Sequence, residues 1–432
     1  MDATKAQGSG PLLQAFDAIG GAAGGDPRQV ALAQLGYIRK QIETNALPFF
    51  AELRQYRPIL VTPLATVVSL FRDVEEILHR ETVFSVAGYV PHMTGVIGPF
   101  ILSLDLTSAY DHDKAAMQLV VRRDDLDRVK EITARVAGAS LAHAAREAAG
   151  KPFDIVQTVT RKTPVRLAAD YFGFAAEDDA EMMAWARACF FEFFENLDND
   201  PQARAKAVEA GAAMAARARD LIARRRAHGS HAEAHTVLAR LLAQHAEGPE
   251  LGFDEDGMVR TLMGLVTGMV ETTSQAAVQA LLVLFANPQA MAGAIAAAKA
   301  DDDDLVWAHI AEALRFQPVN PLVIRILDAD YRLGAGEPRA TVLPKGAVVF
   351  ACTWSAMFDE AMLADPQSFR VDRPAYHYLH FATGAHACFG RYISQVQITQ
   401  ILKPILRLPS LALAGPPTYA GPFPDRLEIT TH

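Results

Sequence analysis

The chain has 432 residues, 50% of them hydrophobic and 21% charged, with a formal net charge of −9. That is ample apolar material for a core enclosing a ligand, and the acidic balance gives no electrostatic reason to expect nucleic acid. The cysteines Cys189, Cys352 and Cys388 are widely spaced with no CxxC, which argues against a disulfide framework and for a reducing compartment.

Residues 1–25, rich in Gly, Ala and Ser, are expected to form a flexible N-terminal arm. No basic segment leads into an apolar run there, so no signal peptide is expected. Residues 26–432 read as a single domain. "QVALAQLGYIRKQIETNALPFFAELRQY" predicts one or two helices ending near Pro58, "PILVTP" and "ATVVSLF" short strands, and "RDVEEILHR" a short amphipathic helix. The glycines, prolines and aromatics interleaved from Glu81 to Thr107 make a long apolar loop, and loops of that length are often functional. Helical text then runs from about Ser108 to Gln317 and includes the aromatic "DAEMMAWARACFFEFFENL". "DEDGMVRTLMGLVTGMVETTSQAAVQALLVLFANP" starts in acidic residues and ends at Asn-Pro, as a long helix does. Its apolar residues lie nearly all round, so it should be central and buried, and the interrupting Arg260, Glu271 and Thr272 argue against a membrane span. After Pro318 come short strands, "LVIRIL", "YRLGAG" and "ATVLPKGAVVFAC". The expected fold is mainly α with a small β part, and the expected location is the cytoplasm.

Three patterns could carry chemistry. Cys388 lies in the glycine-bearing "FATGAHACFG", followed at once by the helical "RYISQVQITQILKPIL". A lone cysteine is more often a buried structural one. A thiolate, however, is a ligand for a soft or borderline metal, haem iron included, and a helix start favours thiolate over thiol. Gly384 and Gly390 are read as permitting close approach and unusual dihedrals. Glu312 and Arg315 stand three apart in "EALRF", a spacing that lets them pair on one helix face. Glu271 and Thr272 are adjacent in an otherwise apolar helix, where a buried carboxylate must be paired or functional.

Phe381-x-x-Gly384-x-His386-x-Cys388-x-Gly390 resembles the haem-binding loop of the cytochrome P-450 family. The resemblance implies that family's fold, with a long central helix over haem b (iron protoporphyrin IX) and a Cys-ligand loop beneath it. It implies the Cys388 thiolate as the iron ligand, Phe381 beside the sulfur, and His386 reaching a haem propionate. Ala382 stands where the family usually has glycine. Glu312 and Arg315 are similar to the family's structural Glu-x-x-Arg pair, and Arg325 matches an arginine commonly aimed at a propionate. "FRVDRP" resembles the family's meander, whereas "SAMFD" replaces the usual Ala-Asn-Arg-Asp. Glu271 and Thr272 look like the acid-alcohol pair whose hydroxyl and ordered water relay protons for oxygen cleavage. Gly268-Met269 stands in place of the usual Ala-Gly before it, and Met269 is expected to narrow or reshape the oxygen groove. His112 matches a propionate-contacting histidine, but Ala116 replaces its arginine partner, for which Lys114 or Arg122 could compensate.

By the same resemblance, the substrate pocket draws on the Val86–Phe100 loop, the "CFFEFFENL" helix, Leu265 and Met269, and the segment with Val319 and Leu322. Their apolar side chains suit a fatty acyl, terpenoid, steroid or aromatic substrate. The implied activity is a monooxygenase using O2. No flavin or nicotinamide signature is evident, so electrons are expected from a ferredoxin or flavodoxin-type donor with its reductase. A haem-thiolate peroxygenase or hydroperoxide-rearranging enzyme is the alternative, and a non-catalytic haem-binding protein the remote one.

Overall fold

In the computed structural model, which describes residues 9–22, 26–228, 235–248 and 250–431, contacts gather the chain into two compact units, where the sequence reading has one domain. The first holds the chain up to Gly88 with Asn320–Phe369 and Arg373–Cys388; the second holds Tyr89–Val319, Arg370–Asp372 and the chain from Phe389 onward.

In the first unit, the stretch expected as an N-terminal arm is described in part. Residues 1–8 and 23–25 lie outside the described residues, but Pro11–Ala22 forms helix α1. Leu13 and Phe16 are buried in a core cluster with Phe49, Phe50 and Leu53. The helix start is capped from a distance: the Glu52 carboxylate accepts the N–H groups of Leu12 (3.0 Å) and Leu13 (2.9 Å). No local signal announces such a cap, because its partner lies about forty residues downstream. The next segment divides into α2 (Pro27–Thr44) and α3 (Ala46–Tyr56), broken at Asn45. The strands β1 (Ile59–Val61), β2 (Thr66–Val68), β3 (Phe84–Ser85), β4 (Val323–Leu327) and β5 (Val348–Ala351) form one sheet in the order β1-β2-β5-β4-β3. Only β2–β5 is parallel, and β4 pairs antiparallel with β5 so that Arg325 faces Val349. Between β2 and β3 lies α4 (Phe71–His79), whose Val74, Ile77 and Leu78 are buried as its amphipathic pattern predicts.

The second unit is helical. Its main elements are α5 (Ser108–Val120), α6 (Leu126–Ala148), α7 (Asp179–Phe190), α8 (Pro201–His228), α9 (Glu255–Ala286), α10 (Asp303–Phe316) and α11 (Arg391–Leu406). Helix α9 is the expected long one, 32 residues, with Asp254 capping the Gly257 N–H at 2.7 Å. It packs against α7, α8, α10 and α11. Among the described residues it alone is long and apolar enough to cross a membrane, and 67% of its most apolar window is buried within the protein. The aromatic helix α7 continues as a π-helical turn, Phe191–Glu195, a form that often marks functional positions.

Candidate functional site

The Cys388 loop belongs to the first unit and is built by short-range bonds. The Cys388 N–H donates to the Phe381 carbonyl (2.8 Å), and the Ala387 N–H donates to the Gly384 carbonyl (3.2 Å). Cys388 is the exposed member of the three free cysteines; Cys189 and Cys352 are buried. Burial pushes the Cys189 thiol up to about 12 and raises Cys352 as well, which suits inert core positions. Gly384 sits at φ +83°, and a Cβ there would strike the Leu78 carbonyl oxygen and the Glu81 carboxylate, so glycine is required. Gly390 lacks the unusual dihedral expected of it. Its φ is an ordinary −82° at the cap of α11, and a Cβ would lie 3.8 Å from Ser394 Oγ. The unusual backbone is instead at Ala382, φ +52°, where an L side chain is disfavoured by about 1–2 kcal/mol. Ala382→Gly is therefore expected to raise the unfolding free energy by about 0.5–1 kcal/mol after the glycine's unfolded-state entropy is subtracted. A denaturant titration that shows a loss of stability would contradict this.

His386 is buried and held within the same unit. Its backbone N–H donates to Glu81 Oε1 (3.0 Å) and its Nδ1 to Oε2 (2.7 Å), so a bond from this ring to a propionate has to come from Nε2. Burial alone would raise the Glu81 carboxyl, but the bonds from His386 and the charge of Arg325 outweigh it and hold it below its ordinary range. Arg325 is 3% exposed; its Nη1 donates to the Ile324 carbonyl, while its Nε has no protein partner. Leu322 is partly buried and packs against the first unit's core cluster. In "SAMFD" the Asp359 carboxylate accepts the Phe71 N–H at 3.0 Å, and Ser355 accepts Arg54. Arg373 of "FRVDRP" binds the carbonyls of Ala364, Asp365 and Ser368, as a meander-fixing fork would.

In the second unit, α9 is buried on every side between Thr261 and Val278 except at Leu265, Gly268 and Thr272. These follow the i, i+3, i+7 spacing of one helix face, and a Cβ at Gly268 would meet nothing within 4 Å. Met269 flanks this accessible strip at 7% exposure. The Thr272 hydroxyl donates back to the Gly268 carbonyl at 2.6 Å. Glu271 is 1% exposed and takes bonds from Arg161 (Nε 3.1 Å, Nη2 2.5 Å) and Arg187 (Nε 3.3 Å). Arg187 in turn pairs with Asp425 at 2.8 Å, whose side chain is 44% exposed. A polar thread thus runs from the acid next to Thr272 to the surface. Sequence reading names Glu271 but neither arginine.

The Val86–Phe100 region is more ordered than a loop: Val90–Met93 is a short helix. In the second unit, Tyr89 meets Phe194 edge-on at 5.9 Å, and His92 Nδ1 lies 3.2 Å from Glu192. The Phe100 ring lies where a Cβ on Gly264 would be, 2.6 Å away, so that glycine admits the ring against α9. Val319 is half-buried. Glu312 and Arg315 are 0% exposed and bonded at 3.0 and 2.7 Å, and Glu312 also accepts the Arg370 N–H at 2.9 Å. His112 Nδ1 meets Asp113 at 3.0 Å, and its Nε2 is buried without a protein partner. Neither expected substitute for the missing arginine is idle: Lys114 donates to the Tyr110 hydroxyl and Arg122 to the Leu119 carbonyl.

The groups present fit a haem. Within the first unit, Cys388 offers an exposed thiol in a tight loop, and the buried Nε of Arg325 lacks a protein partner, as a donor suited to a carboxylate would.

A family description, Cytochrome P450, matches residues 65–413. The chain is 26% identical over 390 residues to the beta-dihydromenaquinone-9 omega-hydroxylase of Mycobacterium bovis, covering 88% of this chain and 73% of that protein. It is 26% identical to the steroid C26-monooxygenase of Mycolicibacterium smegmatis, over 60% of this chain and 61% of that one. The crystal structure of CalO2 is similar in fold, with TM-score 0.78 and 21% identity, covering 91% of this chain and 97% of that one.

Proposed function

The chain belongs to the cytochrome P450 family and is a monooxygenase; from that premise we propose that it inserts one atom of O2 into an apolar small molecule, with Cys388 as the iron ligand of haem b. The observation that carries this is the exposed thiol of Cys388 in the signature loop, set against two buried cysteines. Haem held there supplies the oxygen chemistry, which consumes two electrons and two protons. Electrons come from a separate ferredoxin or flavodoxin-type donor with its reductase. Arg325 would hold a propionate through the nitrogen that has no protein partner.

Thr272 would hold and pass a proton at its hydroxyl, with Glu271 supplying the proton from the buried end of the thread to Asp425. The accessible strip of Leu265, Gly268 and Thr272 supports a ligand lying along α9. The aromatics around Phe194 and the Phe100 ring, together with relatives named for a menaquinone and a steroid, favour a large apolar substrate. Three thiols outside any disulfide suit the cytoplasm.

Two measurements test this. Steroids, isoprenoids and long-chain acids should be screened for a substrate-induced Soret shift. With the best ligand, Thr272→Ala is expected to bind equally well but to yield about tenfold less product per reductant consumed. Unchanged coupling would remove the proton-handling role from Thr272. Turnover with hydrogen peroxide that matches turnover with a reductase would replace the monooxygenase reading by a peroxygenase one.

A further inference from the structure

We propose that Glu81 is a positioning residue for the Cys388 loop, a clamp that fixes the loop's course from the chain just after α4. The proposal rests on Cys388 being the iron ligand for its consequence, but not for its geometry. Three neighbouring positions at the end of α4 grip three positions of the loop. The Leu78 carbonyl fills the space where Gly384 lacks a side chain, and the Glu81 carboxylate fills the rest of that notch. His79 Nε2 meets Thr383 Oγ1 at 3.2 Å. Glu81 holds His386 twice, by its backbone N–H and by its ring, at 3.0 and 2.7 Å.

The side chains of Glu81 and His386 are 1% and 3% exposed. Hydrogen bonds to a buried carboxylate are among the stronger ones a protein makes. The loop's own bonds, Cys388 to Phe381 and Ala387 to Gly384, close its turn. The two bonds from Glu81 reach the residue two before the sulfur. They require a carboxylate-length side chain, since one group must span the backbone and the ring of His386. The positive φ of Gly384 and the Glu81 carboxylate beside it belong to one arrangement: a side chain at residue 384 would expel the clamp.

Length and charge are separable by experiment. Glu81→Gln keeps the reach and an acceptor for the His386 N–H; Glu81→Asp keeps the charge and loses the reach. Both are mild enough to leave the fold, which amide exchange in α9 reports independently. On the haem-loaded protein, Glu81→Asp is expected to speed exchange in residues 381–388 on the order of tenfold, with α9 unchanged, while Glu81→Gln stays within about threefold of wild type. The ferrous-CO band of Glu81→Asp should also convert several-fold faster to a form near about 420 nm, the sign of a disturbed thiolate ligand. Loop exchange in Glu81→Asp equal to wild type, or Glu81→Gln as loose as Glu81→Asp, would overturn the clamp. The wild-type CO band reports the ligand assignment separately, so failure of that reading is distinguishable from failure of this one.

Discussion

Glu312→Ala is expected to lower the unfolding free energy by about 3–5 kcal/mol, because it removes the carboxylate that neutralises the Arg315 guanidinium inside the protein. Both partners are 0% exposed, so bulk solvent does not screen the remaining charge. The same change also removes the acceptor of the Arg370 N–H at 2.9 Å, so a backbone hydrogen bond is lost with the ion pair. Domains have only about 5–15 kcal/mol of stability in all, so the variant should fail to accumulate or should unfold at much lower denaturant. Arg315→Lys on its own should also destabilise, since an ammonium cannot reproduce the two-pronged bond to the Glu312 carboxylate. A shift in denaturation midpoint worth less than about 1 kcal/mol would place the pair among the weak surface bridges and contradict its buried role.

The second large effect is at Glu271. Glu271→Gln removes the negative charge that sits between Arg161 and Arg187 and ends the polar thread at the helix. If this carboxylate supplies protons to Thr272, turnover should fall by about 10²-fold or more, the usual scale for loss of an acid-base group. Substrate affinity, read by the Soret shift, should change little, because Glu271 is buried away from the accessible strip. Turnover within about threefold of wild type would leave Glu271 a structural member of the ion network. The separation of affinity from turnover is the informative readout, since a folding defect alone would reduce both together.

What was legible in the sequence was whatever depends on short spacing. The Cys388 loop, the Glu312–Arg315 pair, the long α9 and the strands around the turn at Gly346 all follow from residues within a few positions of one another. Long-range partners were not legible. Glu81 meets His386 across 305 residues, and Arg161 meets Glu271 across 110. Each is one charged residue among many, with nothing in its neighbours to single it out. Helix α1 was masked by Gly and Ala content because its cap comes from Glu52. At Gly390 the glycine suggested strain that the backbone does not have, while Ala382 carries the left-handed φ. Residue type indicates what backbone is permitted, not which one is adopted.

The central claim is that Cys388 is the iron ligand of a P450 monooxygenase. The ferrous-CO difference spectrum of the wild-type protein and of Cys388→Ser tests it most directly. The account predicts a band near about 450 nm in the wild type that disappears in the variant. A wild-type band near about 420 nm in freshly folded protein, or a variant spectrum identical to the wild type, would contradict it.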